Sequence, residues 1–276
     1  MKRNRIVGLL LAAVTAFSLA ACGGGEKNED AGVLLREAKA NAGAITGCTA
    51  VIRNTLEFSV NGRQQRVQTG NDIVYQAEPF ALKSTQTSLL GGKTSSNTVY
   101  NVTDHDGIWF YAQSGDQWQK TPAGAIDTTP FRQVDILRLL NSVKGQKYVR
   151  EADLDFGKAY KLELTFDSEV LRGTVENIVT AAGIGEGSNT VVQTLLDSAG
   201  DLYGYGYIDE KTNQIVKLEL DATQSVNRIF QNIDGSSAKV VVTKCVTEGT
   251  IQNIGKQPEV QLPAQAAAAA AVQAQG

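Results

Sequence analysis

Between Thr49 and Val60 apolar and polar side chains alternate with a period of two. Ala50, Ile52, Leu56, Phe58 and Val60 fall on one side, and Thr49, Arg53, Thr55, Glu57 and Ser59 on the other. Only an extended strand turns successive side chains to opposite faces, so this stretch is committed to a sheet with one covered side and one wet side. Asn61-Gly62 follows at once, a pair suited to the positive φ angles of a two-residue hairpin, and a polar return strand is expected near Arg63–Thr69. The grammar then repeats. Ile73, Tyr75 and Ala77 precede Pro79, with Phe80 and Leu82 beyond. Val99–Val102 turns through Asp104-His105-Asp106-Gly107 into the aromatic run Ile108–Ala112, and Ser114-Gly115-Asp116 turns again before Trp118. Tyr160, Leu162, Leu164 and Phe166 alternate with Lys161, Glu163 and Thr165. Leu202–Ile208, Ile215–Asp221 and Lys239–Val246 complete the set, the first two joined by the polar turn at residues 209–213. Strands that follow one another through short turns make an antiparallel sheet.

Four helices interrupt the meander. Asp30 is placed to cap the first, which carries Leu34, Leu35, Ala38 and Ala42 on one face and stops at Gly43 and Gly47. Thr129-Pro130 opens a second, with Val134, Leu137, Leu140 and Val143 as its apolar residues. A third runs from about Ser168 with Leu171, Val175, Ile178, Val179 and Ala182, and a fourth spans about Thr190–Ala199. A half-apolar sheet needs a cover, and the helices are the cover available. The expected class is α+β: a large curved antiparallel sheet of about nine to eleven strands, an open half-barrel with helices on its concave face. Ile52, Leu56, Phe58, Phe80, Leu82, Leu162, Leu164, Phe166, Leu218 and Leu220 are the candidates for the covered face, either as the lining of a cavity or as plain core.

The chain opens with Met1-Lys2-Arg3-Asn4-Arg5, an apolar run from Ile6 to Ala16, and then Phe17-Ser18-Leu19-Ala20-Ala21-Cys22. A basic start, a short apolar core and small residues at the exit form a secretory signal. The run falls short of the ~20 residues a membrane-crossing helix needs. Residues 1–21 are read as a signal, 22–30 as a spacer, 31–262 as the folded domain, and 263–276, almost all Ala and Gln, as a disordered tail. Removing residues 1–21 takes away Lys2, Arg3 and Arg5 and no acidic residue, which moves the formal charge from −3 to −6. Such a chain, without Lys/Arg clusters, is a poor partner for nucleic acid or anionic headgroups.

Cys48 and Cys245 stand near the two ends of the folded region. In an oxidising compartment they are the natural candidates for a disulfide, with two buried thiols as the alternative. Nothing in the sequence supplies catalysis. His105 is the single histidine and sits in a turn between aspartates, no Gly-x-Ser-x-Gly elbow is present, and no His/Cys spacing suits zinc. Gly183-Ile184-Gly185-Glu186-Gly187 lies between helices rather than after a strand, so it fails the context of a dinucleotide loop. Trp109, Tyr111, Trp118, Tyr203, Tyr205 and Tyr207 invite a carbohydrate- or protein-binding reading, against which stands ordinary cross-strand packing. Gly204 and Gly206 leave one side of their strand bare, open to a close approach by a helix or ligand. No cofactor, metal or catalytic residue is expected.

Leu19-Ala20-Ala21-Cys22 resembles the lipobox of bacterial lipoproteins, in which the chain is cut before the cysteine and the thiol takes a diacylglyceryl group. The run Tyr205-Gly206-Tyr207-Ile208-Asp209-Glu210-Lys211-Thr212-Asn213-Gln214-Ile215-Val216-Lys217-Leu218 resembles a hairpin of lipoproteins of the LolA/LolB-like fold. That group includes the mycobacterial LppX/LprG lipid-binding lipoproteins and Firmicutes lipoproteins. The resemblance implies lipidation at Cys22, an extracytoplasmic place at a bacterial membrane, and a lipid or other amphiphile held between sheet and helices without catalysis. An envelope interaction module with a solid core is the alternative it leaves open.

Overall fold

A computed structural model describes residues 28–184, 189–231 and 238–271; the expected signal and Cys22 lie outside them. The chain begins with helix α1 (Asn28–Gly43) and passes into six strands, β1 (Gly47–Val60), β2 (Arg63–Gln76), β3 (Ala81–Leu90), β4 (Lys93–Asp104), β5 (Gly107–Ser114) and β6 (Gln117–Pro122). Two short helices follow, α2 (Pro130–Gln133) and α3 (Asp135–Leu140), and then β7 (Val143–Leu154) and β8 (Gly157–Phe166). After a single 3₁₀ turn come α4 (Arg172–Ala182), α5 (Asn189–Asp197), β9 (Leu202–Asp209), β10 (Ile215–Asp221), α6 (Thr223–Gln231), β11 (Val240–Gln252) and the helical turn α7 (Ala264–Ala267).

All eleven strands join one antiparallel sheet in the order β6-β5-β4-β3-β2-β1-β11-β10-β9-β8-β7. It is two meanders fused where β11 returns to β1. The two ends, β6 and β7, do not meet, so the curved sheet stays open, as the alternation predicts. The first hairpin forms at Asn61-Gly62, with φ of 51° and 81°, the backbone that pair was expected to supply.

Helices occupy the concave face. Leu35, Ala38 and Ala42 of α1, Val175, Ile178 and Val179 of α4, and Val226, Ile229 and Phe230 of α6 are buried against Leu162, Leu164, Phe166, Leu218 and Leu220 of the sheet. Helix α3 lies tight against β11. A Cβ at Gly249 would stand 2.9 Å from Ile136 Cδ1, so the missing side chain on β11 is what admits the helix. The expected second helix is broken at Val134, which is extended (φ −111°, ψ 110°). Its carbonyl caps the new start by accepting from Leu137 and Arg138, and Val143 belongs to β7.

The outer face also carries a cover. The chain leaves β11, pairs Gly255 N–H to the Gly47 carbonyl, and packs Val260, Leu262 and Ala266 on Tyr100, Trp109, Tyr111 and Trp118. Ala266 is 0% exposed, and Ala271 forms a parallel bridge to Lys120 on β6. For residues 263–271 this replaces the expected disordered tail with a docked segment; residues 272–276 of that tail lie outside the described residues. Alanine is small enough to lie flush on tyrosine rings, so an Ala-rich segment needs no apolar stripe of its own to dock.

The disulfide is also corrected: Cys48 and Cys245 are both free and buried. Cys245 pairs in register with Leu56, eight residues along β1 from Cys48. At about 3.3 Å per residue that is a separation near 26 Å, against the ~4.4–6.8 Å between Cα atoms that a disulfide requires.

Candidate functional site

Strand register decides which side chains share the concave face. From Ile52 on β1 the row runs to Asn71 on β2, Gln86 on β3 and Asn97 on β4. The neighbouring row holds Asn54, Thr69, Ser88 and Ser95, and continues across β1 to Thr247 on β11. The helices reach Ile52 and Asn71 but not the far ends of these rows, where Gln86, Ser95 and Asn97 are exposed. This leaves a groove of about 590 Å³, bounded by the sheet below and by α3 and α4 on one side. Its helical wall presents Asp135, Arg138 and Leu139 from α3, and Gly173, Thr174 and Asn177 from α4. Its floor under the helices is apolar: Ile52, Leu56, Val67 and Leu220, with Leu171 above. Away from the helices it becomes a field of amides and hydroxyls.

The helical wall is pinned to the sheet by one polar cluster. Asn71 Nδ2 donates to Asp135 Oδ2 at 2.7 Å, and Ser84 Oγ donates to Asn71 Oδ1 at 2.7 Å. Arg138 closes on the same aspartate through Oδ1. The other row is knitted as well, Thr247 Oγ1 to Asn54 Oδ1 at 2.7 Å and Asn54 Nδ2 to Thr69 Oγ1 at 3.1 Å. Cys245 lies in the lining, and burial pushes its thiol up to about 11. Burial likewise pushes Cys48 up to about 12, which favours the protonated thiol at both positions at neutral pH.

Of the ten residues expected on the covered face, Ile52, Leu56 and Leu220 line this groove. Phe58, Phe80, Leu82, Leu162, Leu164, Phe166 and Leu218 are buried in the main core and do not. The reason is the uneven cover: Leu162, Leu164, Phe166 and Leu218 share one packed core with apolar residues of α1, α4 and α5. The bare side of β9 is filled too. A Cβ at Gly204 would stand 3.0 Å from Phe166 Cε2, and one at Gly206 2.8 Å from Leu164 Cδ1, so neighbouring side chains lean into the vacated space. What sequence reading missed is the polar half of the groove. Asn71, Gln86 and Asn97 are unremarkable apart, and only strand register aligns them.

The outer aromatics divide. Tyr100, Trp109, Tyr111 and Trp118 lie beneath the C-terminal segment. Tyr207 is buried and donates to Glu219 Oε2 at 2.7 Å, while Lys161 Nζ sits 3.8 Å above the Tyr205 ring. His105 is exposed in its turn, with its backbone N–H on Asp104 Oδ1 and Lys120 on Oδ2. Gly185–Gly187 lie outside the described residues. No helix among the described residues is long and apolar enough to cross a membrane.

No protein-family model matches the chain, and no curated protein sequence matches it. Among solved structures, the fold is similar to LprF from Mycobacterium bovis at 14% identity, covering 87% of this chain and 99% of that one, with a TM-score of 0.46. It is also similar to the lipoprotein LppX of Mycobacterium tuberculosis at 14% identity, over 83% and 98% of the two chains, with a TM-score of 0.41. Likenesses of this size assign no residue a role, and none is transferred.

Proposed function

We propose that this chain is a non-catalytic binding protein of the bacterial cell envelope, held at a membrane by lipid on Cys22, whose groove takes one amphiphile. One observation carries the reading: the groove joins an apolar floor under α3 and α4 to an uncharged polar field over β2–β4. An alkyl chain belongs on Ile52, Leu56, Val67 and Leu220, and its head on the open rows beyond. The volume falls within the ~300–1,000 Å³ typical of small-molecule sites. Two or three acyl chains on Cys22 supply the anchor, at about 0.8 kcal/mol per buried methylene. Leu19-Ala20-Ala21-Cys22 supports that part. The test is native mass spectrometry of the purified protein after incubation with a bacterial lipid extract. A discrete adduct of one amphiphile per chain is expected, and spectra that remain ligand-free would contradict the reading.

A second reading rests on the packed interior over β8–β10, where Leu162, Leu164, Phe166 and Leu218 are all at most 1% exposed. A core this full suits an interaction module that holds a protein segment against its open face. Under that reading the spectra stay ligand-free at every lipid concentration.

A further inference from the structure

The polar end of the groove is chemically more selective than the apolar end. Asn71, Gln86 and Asn97 lie directly opposite one another on three adjacent strands, and Thr69, Ser88 and Ser95 do the same one repeat along. Neighbouring strands stand about 4.8 Å apart and same-face residues about 6.6 Å apart. The six side chains therefore make a grid roughly 10 Å by 7 Å, and all six line the groove. Their commitments are graded. Asn71 and Thr69, nearest the helices, are bonded to Asp135, Ser84 and Asn54. Among the described residues, Gln86, Ser88, Ser95 and Asn97 have no side-chain hydrogen bond within the protein. They present amide donors, amide acceptors and hydroxyls to whatever lies above them.

The charges point the same way. The ionised groups in the lining are Asp135 and Arg138, which pair with each other on the helical wall, so the charge at that end of the groove sums to zero. Lys93 is one repeat beyond Ser95, at the Gly91-Gly92 turn, and is not part of the lining. A phosphate or carboxylate brought onto the grid would lose hydration without meeting a cation among the six grid residues. A quaternary ammonium would meet neither a free carboxylate nor an aromatic face, since the lining contains no Phe, Tyr or Trp. An uncharged polyol or amide exchanges its water bonds for protein ones at little cost.

We infer that the groove selects amphiphiles whose head is uncharged and rich in hydroxyl or amide groups, seated on the Asn71/Gln86/Asn97 and Thr69/Ser88/Ser95 grid. This rests on the reading of the groove as an amphiphile site, and the test separates the two claims. The purified full chain is titrated calorimetrically with decyl maltoside, decyl phosphate and decyltrimethylammonium, each below its micelle-forming concentration. The shared chain holds the apolar contribution constant. A few net hydrogen bonds correspond to the maltoside binding about ten-fold tighter than either charged probe. The double variant Gln86→Ala/Asn97→Ala should bind the maltoside about five-fold more weakly with the charged probes unchanged. Both residues are exposed, so its unfolding temperature should match that of the parent. Asn97→Lys should raise the affinity for decyl phosphate. Equal or tighter binding of decyl phosphate by the parent chain overturns the inference and leaves the amphiphile reading standing. No binding of any of the three probes overturns both.

Discussion

Gly249→Ala places a methyl group where α3 crosses β11. Its carbon would stand 2.9 Å from Ile136 Cδ1, 3.2 Å from Cγ1 and 3.3 Å from Cβ, and Ile136 is 1% exposed with little room to yield. Non-bonded carbons rest near 3.5–4.0 Å, so α3 has to lift by several tenths of an ångström. Overpacking of this kind costs about 1–3 kcal/mol, and the narrower unfolded ensemble of alanine returns about 0.4–1 kcal/mol. The expected net loss is about 1–2 kcal/mol. Ile136→Val deletes Cδ1, the nearest atom, and costs about 0.5–1.5 kcal/mol by itself. Because it also removes the worst contact, the double variant should be more stable than the sum of the singles by about 1 kcal/mol. Denaturant titrations of the four proteins, followed by circular dichroism and fitted with a common slope, give the cycle directly. Additivity within about 0.3 kcal/mol, or a Gly249→Ala protein as stable as its parent, would refute the idea that this glycine is there to admit the helix.

Three further outcomes follow from the packing. Ending the chain after Lys256 removes Val260, Leu262 and Ala266 from the outer aromatics, which should cost about 2–3 kcal/mol. It should also shift tryptophan emission to the red; an unchanged spectrum would contradict the docked segment. Both thiols should stay unlabelled by an alkylating reagent in the native protein at pH 8 and label fully after denaturation, with the melting temperature indifferent to reductant. A cross-linked species on non-reducing electrophoresis would contradict the separation of Cys48 from Cys245. Burial holds Cys48 at about 12, Cys245 at about 11 and Tyr75 at about 12. The unfolded chain therefore releases these protons first as pH rises. Stability from this source is intact below about pH 9 and should fall progressively toward pH 12, as read from denaturation midpoints across that range.

The sheet was largely legible because its strands are half-covered. In β1 and β8, cover on one face imposes the alternation of Ile52, Leu56 and Phe58, or of Leu162, Leu164 and Phe166, and the pattern survives in the sequence. Strand β7 escaped for the opposite reason. It is an edge strand without continuous cover, so Val143–Leu154 carries no period-two signal. Helix α6 carries Val226, Ile229 and Phe230 at helical spacing after Thr223, in a stretch short enough to pass for a loop. The groove was illegible in principle from composition or periodicity. Its polar rows exist because the hairpins turning at residues 77–80 and at Gly91-Gly92 bring Asn71, Gln86 and Asn97 into line, and a slip of one residue in either hairpin would send them to opposite faces. The docked C-terminal segment was hidden by its own chemistry, since alanines that cover tyrosines look the same as alanines that cover nothing.

The most direct measurement fills the groove and asks whether the ligand goes. Thr69 is exposed and lines the groove, so Thr69→Trp puts a large ring into that space from outside the core. Native mass spectra of parent and variant are compared after the same lipid incubation. A bound amphiphile is expected on the parent and none on a variant that melts within a few degrees of it. An adduct of equal abundance on both would show that the ligand sits elsewhere.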